Sequence, residues 1–183
     1  MNTELNNGRP LVKTDKKVLD ACCGGRMMWF NQDDPRALFI DIRELGPGVF
    51  TTHPGFQVRP DMIADFRNLP FADRAFKLIA WDPPHLKHAG ANSFMFKKYG
   101  SLKADCWRSV LTEGFNELWR VLDENGTLVF KWNEEDIPLK EVLLCFKERP
   151  LFGHTTSQKT HWMIFFKESK ETISPVRQKG GEE

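Results

Sequence analysis

Three aspartates each close a short apolar run: Asp20 ends Val18-Leu19-Asp20, Asp41 ends Ala37-Leu38-Phe39-Ile40-Asp41, and Asp65 ends Asp61-Met62-Ile63-Ala64-Asp65. A fourth run, Phe76 to Trp81, passes directly into Asp82-Pro83-Pro84-His85. Runs of this length and composition are how buried parallel strands read in sequence. A carboxylate at the carboxyl end of such a strand stands where open α/β sheets bind their ligands. Asp41 follows Asp20 by about twenty residues, the offset at which an acid can accept hydrogen bonds from ribose hydroxyls. The turn after the first run, Asp20-Ala21-Cys22-Cys23-Gly24-Gly25, is built of small residues that let backbone approach a ligand closely. It lacks the Gly-x-Gly-x-x-Gly spacing of dinucleotide sites, and the chain has no phosphate-loop Gly-Lys-Ser/Thr. A nucleoside ligand without pyrophosphate is therefore expected.

Asp82-Pro83-Pro84 offers a second kind of chemistry. The Asp82 carboxylate and the Pro83 carbonyl can accept two N–H groups from one bound amine. Proline has no N–H of its own and a fixed φ, so the pair of prolines removes competing donors and stiffens the aim of that carbonyl.

The elements that must position these residues follow from the pattern. Strands are expected at Val18–Asp20, Ala37–Ile42, Asp61–Asp65, Phe76–Asp82 and Thr127–Trp132, with a closing antiparallel hairpin from Pro150–His154 and Thr160–Phe166. Trp107, Val110, Leu111, Phe115, Leu118, Trp119 and Leu122 fall at three- and four-residue spacing, which predicts an amphipathic helix over Asp105–Leu122. Arg26–Asn31 is compatible with a helix, Leu139–Phe146 suits another, and Asp123-Glu124-Asn125-Gly126 reads as a turn. Strands alternating with helices give an α/β, Rossmann-like, doubly wound and mostly parallel seven-stranded sheet with a C-terminal antiparallel hairpin. The expected division is a flexible leader over 1–16, one domain over 17–167, and a disordered tail over 168–183.

The composition agrees with one domain. The chain has 183 residues, 40% hydrophobic and 28% charged, which excludes wholesale disorder. No apolar run is long enough to span a bilayer, and the polar start is not a secretory signal. Cys22 and Cys23 are adjacent, and a chain of this size needs no staples, so the four cysteines are expected to be reduced thiols of a cytoplasmic protein. No His/Cys spacing suggests a metal.

Taken together, Asp20-x-Cys-Cys-Gly24-Gly25, Asp41, Ala64-Asp65-Phe66-Arg67-Asn68-Leu69-Pro70-Phe71 and Asp82-Pro83-Pro84-His85 resemble class I S-adenosylmethionine-dependent methyltransferases, with a particular likeness to small phage and prophage methyltransferases. The resemblance runs from about Lys17 to Lys167. Gly24 matches the central glycine of the family's Asp/Glu-x-x-x-Gly-x-Gly motif, whereas Arg26 replaces the last one. The resemblance implies that Asp20 and the backbone of Cys22, Cys23 and Gly24 hold the methionine moiety of S-adenosyl-L-methionine. It places the ribose on Asp41, one adenine face on Ile42, and the adenine amino group on Asp65 with Phe66 beside it. In the family, Asp/Asn/Ser-Pro-Pro-aromatic marks amino-group methyltransferases, the aromatic stacking on the target ring. His85 takes that position here.

The amino group of adenine or cytosine is a poor nucleophile because its lone pair is delocalised into the ring. Acceptors at Asp82 and Pro83 would favour a pyramidal nitrogen. Between His85 and Arg108 the chain carries a net charge of +4 against +1 for the whole. Phe94, Phe96, Tyr99 and Trp107 interleave with the lysines there. Basic and aromatic residues in one loop suit phosphates and splayed bases. Lys97, Lys98, Tyr99 and Lys103 are the expected substrate contacts, and the 86–108 loop the expected nucleic-acid surface, for DNA rather than RNA. No segment is long enough for a separate target-recognition domain, so duplex DNA would require a homodimer, a partner protein or single-stranded substrate. A protein amide or small molecule as methyl acceptor, and a non-catalytic S-adenosylmethionine-binding protein, are the alternatives.

Overall fold

Seven short strands hydrogen-bond into one sheet in the spatial order β5-β4-β3-β6-β7-β9-β8. They are β3 (Val18–Asp20), β4 (Ala37–Asp41), β5 (Met62–Ile63), β6 (Phe76–Trp81), β7 (Leu122–Asn133), β8 (Phe152–His154) and β9 (Thr160–Lys167). A separate antiparallel ribbon pairs β1 (Leu5–Asn6) with β2 (Arg9–Pro10). The computed structural model describes residues 5–6, 9–49, 53–87, 100–154 and 159–169. From β5 to β7 every pairing is parallel, whereas β9 runs antiparallel to β7 on one side and to β8 on the other. The expected α/β sheet with its antiparallel C-terminal hairpin is thus present.

The order places β3 between β4 and β6. The chain leaves β3 towards β4 and leaves β6 towards β7, so the connections diverge at that boundary. Such a switch point opens a crevice beyond the strands' carboxyl ends. Asp20 ends β3, and Asp82 follows β6 directly, so both stand at this crevice.

Two helices follow β6: α1 (Trp107–Val121) and α2 (Leu139–Leu143). Along α1 the periodic positions Trp107, Leu111, Phe115, Leu118 and Val121 are buried, as the spacing requires. They pack with Ile79, Trp81, Leu128, Phe130 and Trp132 into one core. Phe115 stacks on Phe146 with ring centroids 4.4 Å apart, and Trp81 lies 5.1 Å from Phe130. Each such ring, fully buried, contributes roughly 1.5–3 kcal/mol relative to exposure. Gly114 faces inward on α1, where an added Cβ would come within 2.6 Å of the Phe66 ring.

Among the described residues, both helices pack on this one core, so the doubly wound arrangement is met on one face only. Over β3 and β4 the other face is covered by turns, with Trp29 edge-on to Phe39 at 4.8 Å. Farther along, Leu78, Thr127 and Phe166 lie side by side, as do Lys131, Trp162 and His154, and this face stays partly open to solvent.

Three local expectations are corrected. Residues 26–31 form turns rather than a helix, because Arg26 has φ 53° and a left-handed residue cannot continue a right-handed helix. Asp123-Glu124-Asn125-Gly126 does not separate two elements: β7 runs through it, with Asn125 at φ 58° and a register shift against β6 between Phe76 and Leu78. An irregular strand absorbs turn-forming residues this way. The strand expected over Asp61–Asp65 shortens to Met62–Ile63, because the Asp61 carboxylate turns back to accept from the Phe39 N–H at 3.1 Å.

Candidate functional site

Asp20 is fully buried at the end of β3. Its carboxylate accepts from Trp29 Nε1 at 2.7 Å and from the Cys22 N–H at 3.3 Å, so it ties the following turn back to the strand. Burial pushes its carboxyl up to about 7, the two hydrogen bonds offsetting only part of the desolvation. The folded protein therefore holds a proton that the unfolded chain has released. Stability attributable to Asp20 falls as pH rises from 3.8 to about 7, then levels. Asp20→Asn cannot ionise, so the Tm difference between variant and wild type should move in the variant's favour across that window. A difference that stays constant with pH would remove Asp20 as its source.

The turn itself is held from β4. Asp41 Oδ2 accepts the Gly24 N–H at 3.0 Å, and Gly24 has φ 49° with open space where a Cβ would project. Arg26, in the place of the motif's last glycine, has a left-handed backbone at φ 53° and sends its side chain inward. The guanidinium donates to Gln32 O and Arg59 O, both at 2.6 Å, pairs with Asp61 at 2.8 Å, and lies 3.9 Å over the Phe39 ring. The departure from the motif is thus a structural anchor.

Two adjoining clefts open along the crevice, and both are lined by Cys22 and Arg43. The first, about 390 Å³, adds Asp41, Ile42, Asp65, Phe66, Pro84 and Lys103. The second, about 270 Å³, adds Cys23, Gly24, Met28, Asp82, Lys131 and Trp162. Most of the residues singled out in sequence therefore converge. Asp20 lies beneath the turn, Pro83 is buried, and His85 stands edge-on to Trp132, with centroids 6.3 Å apart. Burial draws the His85 imidazole below its usual range, against the opposing pull of the Asp82 carboxylate. Lys97, Lys98 and Tyr99 lie outside the described residues. A larger cavity of about 1020 Å³ sits at the other strand ends, beside Glu124 at the start of β7 and Lys167 at the end of β9, away from these acids.

In the first cleft, acid and apolar residue alternate twice: Asp41 with Ile42, and Asp65 with Phe66. Ile42 is 61% exposed, an apolar surface left bare beside two carboxylates. Asp41 accepts from the Arg43 N–H at 2.9 Å and from its guanidinium at 3.0 and 3.2 Å. Asp65 accepts from Arg67 in the same pattern, at 2.9 Å from N–H and 2.6 Å from Nη2. Partial burial works against the Asp65 charge, but Arg67 outweighs it and holds the carboxyl below its ordinary range. Asp34 and Arg36 repeat the motif outside the cleft. The signal for Arg43 and Arg67 was therefore present in sequence, as a recurring Asp-x-Arg.

In the second cleft, Asp82 Oδ2 accepts from Lys131 Nζ at 2.5 Å, while Oδ1 has no partner among the described residues. Both side chains are mostly buried. Lys131 was not singled out in sequence. Its signal is that it sits between Phe130 and Trp132, both buried, so the alternation of β7 turns it to the opposite face.

No protein-family model matches this chain, and no curated protein matches its sequence. Among solved structures it is similar to the PH0226 protein from Pyrococcus horikoshii OT3, with a TM-score of 0.51 and 15% identity, over 83% of this chain and 81% of that one. Two others match with lower scores. A possible exported protein from Bordetella parapertussis has a TM-score of 0.42 and 12% identity, over 83% of this chain and 61% of that one. The antibiotic-resistance methyltransferase Kmr has a TM-score of 0.41 and 12% identity, over 84% of this chain and 87% of that one. The first of these likenesses is one of fold.

Proposed function

We propose that this chain is an S-adenosylmethionine-dependent methyltransferase acting on an exocyclic amino group of a nucleic-acid base, adenine N6 or cytosine N4. The observation that carries the reading is the pair of adjoining clefts at the switch point. One is lined by the acids Asp41 and Asp65, each followed by an apolar residue, and the other by the carboxylate of Asp-Pro-Pro.

The residues of the first cleft fit a nucleoside. Asp41 and Asp65 supply acceptors for ribose hydroxyls and an adenine amino group, and Ile42 and Phe66 supply flat apolar contact. The Arg43 guanidinium bonds to Asp41 are the ones that ribose hydroxyls would replace, since a carboxylate offers about four acceptor positions. The Cys22–Gly24 backbone, with Cys22 lining both clefts and Cys23 and Gly24 the second, would hold the methionine end. When bound, S-adenosylmethionine supplies a methyl group on a sulfonium. Asp82 then orients the acceptor amine through Oδ1, draws its lone pair out of conjugation, and can take up the proton that the new N–C bond displaces. Lys131 holds the other oxygen and so fixes the direction in which Oδ1 points. Positioning and preorganised hydrogen bonds suffice where the leaving group is already good.

Lys103 on the first cleft and the basic 86–108 segment support a nucleic-acid substrate, a DNA single strand in the cytoplasm of a cell or a phage host. The domain so defined spans 17–167.

Calorimetry with S-adenosylmethionine tests the cofactor half. Wild type should bind. Asp41→Ala, which removes charge-assisted bonds to the ribose, should lose about 1.5–3 kcal/mol. Unchanged affinity would take Asp41 out of the site, and no binding by wild type would sink the proposal.

A further inference from the structure

The cavity beside Asp82 has an aromatic wall that does not come from the Asp-Pro-Pro-His motif. Among the described residues that line it, Trp162 is the only ring. β9 is antiparallel, so its first residues reach the edge where the carboxyl ends of β6 and β7 lie, and Trp162 pairs directly with Lys131. The Lys131 ammonium stands 5.7 Å from the Trp162 ring centroid and bonds Asp82. Ring, cation and carboxylate therefore form one continuous set. Trp162 is 36% exposed, whereas Trp81 and Trp132 are fully buried. Its chain neighbours His161 and Met163 are buried too, so the strand is anchored while this ring faces out. His85 is engaged edge-on with Trp132 and is not among the described residues that line the cavity.

We propose that Trp162, rather than His85, is the surface on which the target base stacks, and that Lys131 and Asp82 together read its amino edge. The proposal rests on the reading of the chain as a methyltransferase of base amino groups. Any base offers a π-face to a tryptophan, so the ring supplies affinity without sequence preference. The edge supplies the chemical class. Adenine and cytosine each carry a ring-nitrogen acceptor beside the amino donor. Lys131 brings N–H donors and Asp82 brings an acceptor, side by side. Thymine and uracil have no amino group to present, so Asp82 would meet no N–H donor of that kind. The cavity, at about 270 Å³, lies below the usual range for drug-sized ligands, which suits one base rather than an intact pair.

The test uses the full chain with short single-stranded oligo-dA and oligo-dC, read by strand affinity, methyl transfer, cofactor calorimetry and a thermal melt. Trp162→Leu should weaken strand binding roughly 5- to 150-fold, the span of one base–aromatic stack. Its cofactor affinity and Tm should stay those of wild type. Trp162→Phe should keep most of the binding. Phe152→Ala, exposed on the same sheet face but outside the cavity, should leave both readouts unchanged. Wild-type strand affinity and turnover in Trp162→Leu, with loss in His85→Ala, would overturn the proposal and leave the methyltransferase reading standing. So would a Trp162→Leu protein that loses cofactor binding and stability along with the strand, since the ring would then be structural. A wild type that binds cofactor but neither holds nor methylates either strand would overturn both, and the failure would lie in the wild type itself.

Discussion

Asp82→Ala is expected to lower methyl transfer by roughly 10²–10⁴-fold, the range typical of removing a transition-state hydrogen-bond partner or a positioned proton acceptor. Two effects act together. The amino nitrogen loses the acceptor that draws its lone pair out of the ring. The Lys131 ammonium, until then paired with Asp82, is left beside a nitrogen that becomes positive as the new bond forms. Folding should be little affected, because Asp82 lies beyond the end of β6 and, among the described residues, its side chain is bonded only to Lys131 on the partly open sheet face. Asp82→Asn keeps one carbonyl acceptor and should fall between wild type and Ala. Single-turnover transfer of labelled methyl, with cofactor affinity measured in parallel, separates loss of chemistry from loss of binding. Near-full turnover in Asp82→Ala would end the amino-methyltransferase reading.

The second large effect is on stability, at Arg26. Arg26→Ala removes a buried guanidinium whose partners are the carbonyls of Gln32 and Arg59 and the carboxylate of Asp61. Breaking a buried pair by deleting one member typically costs about 3–5 kcal/mol. The strain of φ 53° is common to Arg and Ala, so it cancels in this difference. For a chain of this size the loss corresponds to a Tm drop of roughly 6–20 °C. Arg26→Gly relieves the backbone strain and should recover about 1 kcal/mol, but not the anchor. Equal melting of the Gly variant and wild type would show that the guanidinium contributes no more than the roughly 1 kcal/mol of strain that Gly relieves, and so is no buried anchor.

Periodicity in sequence sufficed wherever a strand or helix is decided by its own burial. α1 matches its apolar spacing, and β4, buried along its whole length, matches an unbroken apolar run. What stayed hidden was decided by contacts between distant residues. Arg26 reads as a long charged side chain after two glycines; the Arg59 carbonyl, the Asp61 carboxylate and the Phe39 ring, all distant in sequence, make it an interior residue. Asp123–Gly126 has every local mark of a turn, yet it lies inside β7 as an irregularity, because Leu122 before it and Thr127 after it both pair with β6. At the site, the acids were legible because Asp20 and Asp41 close their strands and Asp65 and Asp82 follow theirs closely. Lys131 and Trp162 were not, because their proximity to Asp82 depends on how β6, β7 and β9 lie side by side, which no local pattern encodes.

The inversion of β9 bears on how the chain is assembled. Among the described residues β8 has no sheet partner except β9, and β9 pairs with β7 along the whole of its own length, from Gly126 to Asn133. During synthesis, residues 122–154 must emerge and wait, β7 with a bare edge and β8 with nothing to pair, until Thr160–Lys167 slides between them as the last rung. Closure of half the sheet is deferred to one late, long-range step, and long-range pairings are the slow ones. An exposed strand edge is also where nascent chains associate with one another. A nascent polypeptide stalled before residue 160 would therefore carry both hazards at once, while the β3–β4–β6 portion that bears the strand-end acids could already be paired.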